Sequence, residues 1–217
     1  MKLVIFILLC LYVTINADQI MVIPKTPQGF SLGAVNPLLH LEAYYDLACD
    51  DSAASYSVFQ QVLQKINIKN NTQVKFTAHF LCLPYHFNAF LLTKGLQVIA
   101  DNCNNTQDIW NYIDFIFQNQ QAYFTDATQI YTVYQIAANL TKLVTSNSQF
   151  RNYNPTAFNN SLFDPIIAAK TLFSVQYAQY KSVTSTPSYF ANGVLIDNAD
   201  NFSYNDWINF INKYISS

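Results

Sequence analysis

Apolar and polar positions change period twice along the chain. Over 38–47, "LLHLEAYYDL", apolar and polar residues alternate before the run ends at Asp46, the two-residue period of a strand. From 52 to 66, Tyr56, Phe59, Val62, Leu63 and Ile66 recur at spacings of three and four, which predicts an amphipathic helix. A polar turn at 67–73 leads into "VKFTAHFLCL" at 74–83, a second strand stopped by Pro84. Strand, helix and strand in that order form a βαβ unit, whose crossover makes the two strands parallel. Helical spacing then dominates, over 88–100, 106–119, 125–143 and 159–180, with polar or turn-forming breaks between. Strand character returns in "TPSYFANGVLID" at 186–197, where Asn192-Gly193 predicts a tight hairpin. A last helix over 203–215 opens at an N-cap serine, Ser203.

The pattern predicts an α/β domain, β-α-β … β-β-α, spanning 37–217 and interrupted by a large helical insertion at about 87–181. Residues 18–36, with Pro24 and Pro27 inside and Pro37 following, read as an N-terminal tail or edge element. Ahead of them, "MKLVIFILLCLYVTINA" carries one lysine, an apolar run and a polar stretch ending in a small residue, so 1–17 read as a secretory signal peptide. Its apolar run, 3–13, is shorter than the ~20 residues a membrane span needs, and no later stretch is long and apolar enough. The expected location is therefore the secretory pathway: the endoplasmic reticulum lumen, a vacuole or the exterior. Five N-x-[ST] sequons, at Asn70, Asn104, Asn139, Asn159 and Asn201, are candidate glycosylation sites; Asn70 and Asn104 have loop-like neighbours. With Lys2 removed, ten basic side chains face thirteen acidic ones, and no basic stripe exists to bind nucleic acid.

Chemistry concentrates where the first strand meets the first helix, in "YYDLACDDSAASYSVF". Cys49 falls at the helix N-terminus, where unpaired N–H groups and the helix dipole favour a thiolate. Asp50 and Asp51 suit the same dipole but repel that thiolate. No C-x-x-C or H-x-x-x-H pair is present, so no metal site is expected; His40 and His79 lie within strands and read as core or sheet-face residues. Once Cys10 leaves with the signal, Cys49, Cys82 and Cys103 remain, an odd count for an oxidising compartment. The segment from Cys82 to the next helix could span ~16 Å extended, against a helix of ~20 Å. A strand end running back beside that helix would join Cys82 to Cys103 in a disulfide and leave Cys49 free.

The frame, a cysteine at the first strand–helix junction and a Thr-Pro opening the hairpin together resemble the thioredoxin fold, and the helical insertion resembles its DsbA-like branch. Four stretches carry the likeness: "LEAYYDLAC", "LPYHFNAF", "DIWNYIDFIFQNQ" and "TPSYFANGV". The resemblance implies that Cys49 is an exposed attacking thiol and that Thr186-Pro187 is a cis-proline loop facing it and cradling substrate. It also implies that His86 lies near the rim of the cleft. Tyr189 and Phe190, beside Pro187, are candidate substrate contacts by position. Ser52 stands where that family has its resolving cysteine. Two functions follow. The first is a thiol-disulfide oxidoreductase or isomerase of monothiol type, acting on cysteine-bearing client proteins or peptides, with no bound cofactor beyond exchangeable thiols such as glutathione. The second is a non-catalytic binding or chaperone-like module using the same groove, or a scaffold in which Cys49 is incidental.

Overall fold

The computed structural model describes residues 27–215. The expected signal peptide at 1–17 lies outside them. Five strands form one mixed sheet: β1 (Phe30–Gly33), β2 (Leu39–Tyr45), β3 (Val74–Phe80), β4 (Ser188–Ala191) and β5 (Val194–Leu195), in the order β1-β3-β2-β4-β5. β2 and β3 are parallel, with Leu39 opposite Val74 and Tyr45 opposite Phe80, while β4 runs antiparallel to β2 and β1 antiparallel to β3. The crossover between β2 and β3 is helix α1 (Asp50–Lys65). The β4–β5 turn is Asn192-Gly193, both residues at positive φ (49° and 82°), a conformation that Asn and Gly tolerate best.

Alternation along β2 and β3 builds two cores. Leu39, Leu41, Ala43 and Tyr45, with Val74, Phe76, Ala78 and Phe80, face α1 and α8 (Tyr204–Ile215) in the main cluster. There Phe59 lies edge-on to Trp207 at 4.6 Å. The opposite face carries Tyr44 and Phe190, covered by Ala178 of α7 (Pro165–Tyr180) and by Val183. That second face also buries an ionisable pair: His79 Nε2 lies 3.2 Å from Glu42 Oε1, with the imidazole stacked between Tyr44 at 4.6 Å and Tyr177 at 5.0 Å. His40 bonds the Thr77 hydroxyl at 2.8 Å.

The insertion comprises α2 (Ala89–Asn102), α3 (Gln107–Asn119), α4 (Thr125–Thr128), α5 (Val133–Ser146), α6 (Pro155–Ser161) and α7. Two helices expected as continuous are broken. The 125–143 run stops after Thr128 and restarts at Val133, because Thr132 and Gln135 form a reciprocal capping box. The 159–180 run breaks at Asp164, whose carboxylate accepts the Ile166 N–H while Pro165 takes the first helical position. Among the described residues, no helix is long and apolar enough to cross a membrane.

Candidate active site

β2 delivers the chain to a four-residue loop organised by one buried carboxylate. Asp46 is 1% exposed; its Oδ1 accepts the Ala48 N–H at 2.7 Å and its Oδ2 the Leu83 N–H at 2.8 Å. Its backbone carbonyl accepts from Cys49 N at 3.1 Å, and its backbone N–H donates to Ser52 Oγ at 3.2 Å. His86 Nδ1 lies 3.0 Å from Asp46 Oδ2. Burial pushes the Asp46 carboxyl up from the ordinary range, and the Leu83, Ala48 and His86 hydrogen bonds pull it back. No local sequence signal marks this residue as a hub, because two of its partners, Leu83 and His86, come from the segment beyond β3, 37 and 40 positions on.

Cys49 is the N-cap of α1, with extended backbone angles, and its sulfur accepts the Ser52 N–H at 3.4 Å. The thiol donates to the Thr186 carbonyl at 3.5 Å, and the Thr186–Pro187 bond is cis. Gln120, just past α3, donates Nε2 to the Cys49 carbonyl at 3.2 Å, tying the insertion to the site. Cys49 Sγ and the carboxylates of Asp50 and Asp51 lie within 4.8 Å of one another. Three consecutive side chains at an exposed helix start do not enclose a cation, and we assign no metal to them.

Three expectations are corrected. Cys49 is covered rather than exposed, at 4%, because the Thr186 carbonyl sits on its sulfur; Ser52, at the position expected for a resolving cysteine, is fully buried beside it, its hydroxyl engaged by the Asp46 N–H. Tyr189 and Phe190 are not groove residues. Strand alternation turns Tyr189 into the main core, where its hydroxyl meets those of Ser55 at 2.7 Å and Tyr45 at 3.0 Å, and turns Phe190 against Tyr44 on the other face. Cys82 and Cys103 are free thiols, not a disulfide. Cys82 Sγ donates to Thr93 Oγ1 in the first half of α2, whereas Cys103 caps that helix ten residues later, about 15 Å along its axis. Burial pushes the Cys82 thiol up to about 12.

His86 reaches the rim: with Ala48, Asp50, Tyr85, Tyr123, Phe124, Thr125 and Asp126 it lines a cavity of about 270 Å³ beside Cys49. The sequons fall in different settings. Asn70, Asn104 and Asn201 are exposed at turns or loops, Asn139 lies within α5, and half-buried Asn159 accepts a hydrogen bond from Thr141.

Strand order, the parallel β2–β3 pair, the late antiparallel hairpin and the helical block between them define the DsbA-like form of the thioredoxin fold. Solved structures agree. The oxidised BdbD of Bacillus subtilis superposes with a TM-score of 0.67 at 15% identity, over 87% of this chain and 94% of that one. Chlamydia trachomatis DsbA gives 0.66 at 14%, over 88% and 94%, and Wolbachia pipientis α-DsbA1 gives 0.64 at 18%, over 89% and 93%. No family model and no curated relative matches the sequence. At these identities the likeness establishes the fold alone.

Proposed function

We propose that the protein is a thiol-disulfide exchange protein of monothiol type, with Cys49 as the attacking sulfur. The observation that carries this reading is the placement of that sulfur: at the start of α1, accepting a backbone N–H, against the Thr186 carbonyl and beside an open cavity. The Thr186-Pro187 loop would hold an extended client segment, and cysteine-bearing proteins or peptides would be its partners. Ser52 cannot expel a mixed disulfide, so release requires an outside thiol such as glutathione, which serves as exchanging partner rather than bound cofactor. The apolar leader and the sequons support a secretory-pathway compartment.

The 4% exposure of Cys49 favours the second reading, a non-catalytic binding or chaperone-like module on the same scaffold. One experiment separates the two. The mature protein is incubated with glutathione disulfide and digested under non-reducing conditions. A glutathione adduct at Cys49, absent from Cys49→Ala, supports exchange; an unmodified Cys49 after prolonged incubation leaves the binding module.

A further inference from the structure

On the reading that Cys49 exchanges disulfides, we infer that His86, oriented by Asp46, is the proton donor to the sulfur that leaves when Cys49 attacks a client disulfide. The carboxylate comes first. Each Asp46 oxygen accepts a backbone N–H, so its remaining capacity is for acceptance, and His86 meets it through Nδ1 at 3.0 Å. A hydrogen on Nδ1 therefore points into the protein and fixes the ring, which leaves Nε2 as the atom available to a substrate. The ring is placed to use it: the His86 side chain is 21% exposed while the Asp46 carboxylate is sealed at 0%. Tyr85 packs edge-on to the imidazole at 4.7 Å.

The cavity supplies the reacting partner's position. Ala48 and Asp50, the two chain neighbours of Cys49, form one wall, and His86 belongs to the same cavity. The sulfur itself is held by the Thr186 carbonyl and the Ser52 N–H. On this inference a client disulfide seats in the cavity, so that the sulfur expelled by Cys49 lies in the space that His86 lines. The Cys49 thiolate attacks one client sulfur, a new Cys49–client S–S bond forms, and the client S–S bond breaks. The departing sulfur keeps the bonding electron pair as a thiolate and takes a proton from the imidazolium Nε2–H to become a thiol. In the reverse direction neutral His86 removes that proton from an incoming thiol. Nothing is oxidised or reduced beyond the exchange itself. The other titratable groups facing His86 are Asp46 beneath it and Tyr85, Asp50, Tyr123 and Asp126 around the cavity.

A leaving-group comparison tests this, since an acid matters only where the departing thiolate is basic. Cys49 adduct formation is timed, by peptide mass, with glutathione disulfide, which expels an alkyl thiolate, and with dithiodipyridine, whose aromatic thiolate needs no proton. We expect His86→Gln to slow the first reaction about tenfold, less than a positioned acid usually contributes because thiolates leave readily, and to change the second by less than about twofold. The fall in rate on the alkaline side of the pH profile with glutathione disulfide, where a proton donor is lost, should vanish in the same variant, and Asp46→Asn, a change in a positioning residue, should shift that fall. Equal slowing of both reactions, or of neither, overturns the inference while leaving exchange by Cys49 intact. A wild-type protein that forms a Cys49 adduct with neither disulfide removes the exchange reading and this inference with it.

Discussion

Two histidine–carboxylate pairs sit on the central strands and their extensions, and their surroundings set them apart. Glu42 and His79 meet at 3.2 Å with side chains 8% and 1% exposed, the ring clamped between two tyrosines. Asp46 and His86 meet at 3.0 Å, but here the imidazole opens onto a cavity next to Cys49. The hydrogen bond is the same; access to a proton acceptor is not. Enclosure makes the first pair a matter of stability, and the open ring makes the second available for chemistry.

The sharpest way to break this contrast is to remove each imidazole. His79→Leu leaves a buried Glu42 carboxylate unpaired and should cost about 3 kcal/mol, whereas His86→Leu, at a rim, should cost less than about 1 kcal/mol. Urea denaturation of the two variants decides it, and equal losses would erase the distinction. Asp46→Asn comes next. One carboxylate oxygen becomes an NH2 facing a backbone donor, so we expect a loss of about 2 kcal/mol, again by urea midpoint. Ser52→Cys replaces a good acceptor for the Asp46 N–H with a poor one and should cost about 1 kcal/mol. If α1 holds its place, mild oxidation of that variant should join Cys49 to the new cysteine, read as the loss of two hydrogens in the intact mass. The smallest effect is a matter of sign. Burial, offset in part by Glu42, holds His79 below the ordinary histidine value, and the His79 hydrogen bond holds Glu42 below the carboxylate range. The pair's contribution is therefore complete above an unfolded histidine's value of ~6.5 and falls away as pH drops through the depressed folded values. Asp46, raised by burial, works oppositely: protonation on acidification relieves its cost. Stability followed from neutral to mildly acidic pH should decline in the wild type and less steeply in His79→Gln; an identical slope would refute the assignment.

Local periodicity makes the frame legible in the sequence itself. Alternation in 38–47 and 74–83, helical spacing in 52–66 and the Asn192-Gly193 turn each reflect forces acting within a few residues. The breaks in the insertion are written there too, in Thr132 with Gln135 and in Asp164-Pro165, but continuous apolar spacing masks them. At the site, Cys49 and the Thr186-Pro187 loop are recognisable as a pair of distant motifs. What they touch is not. Which face Tyr189 occupies depends on strand register, the separation of Cys82 from Cys103 on where β3 meets α2, and the role of Asp46 on partners drawn from Ala48, Ser52, Leu83 and His86. These are tertiary decisions, set by packing rather than by neighbours in sequence.

The cover over Cys49 has a history as well as a geometry. Its sulfur is roofed by the carbonyl of Thr186, 137 positions further along the chain, while the helix that it caps is made among the first elements. A ribosome adding roughly 5–20 residues per second would leave that thiol without its roof for about 7 to 27 seconds, as the whole helical block is synthesised in between. During that interval Cys49 is an ordinary reachable thiol on a partly folded chain, open to the small disulfides of whatever compartment receives it. The free thiol found beneath Thr186 is thus a state that the protein must reach before its last strands close.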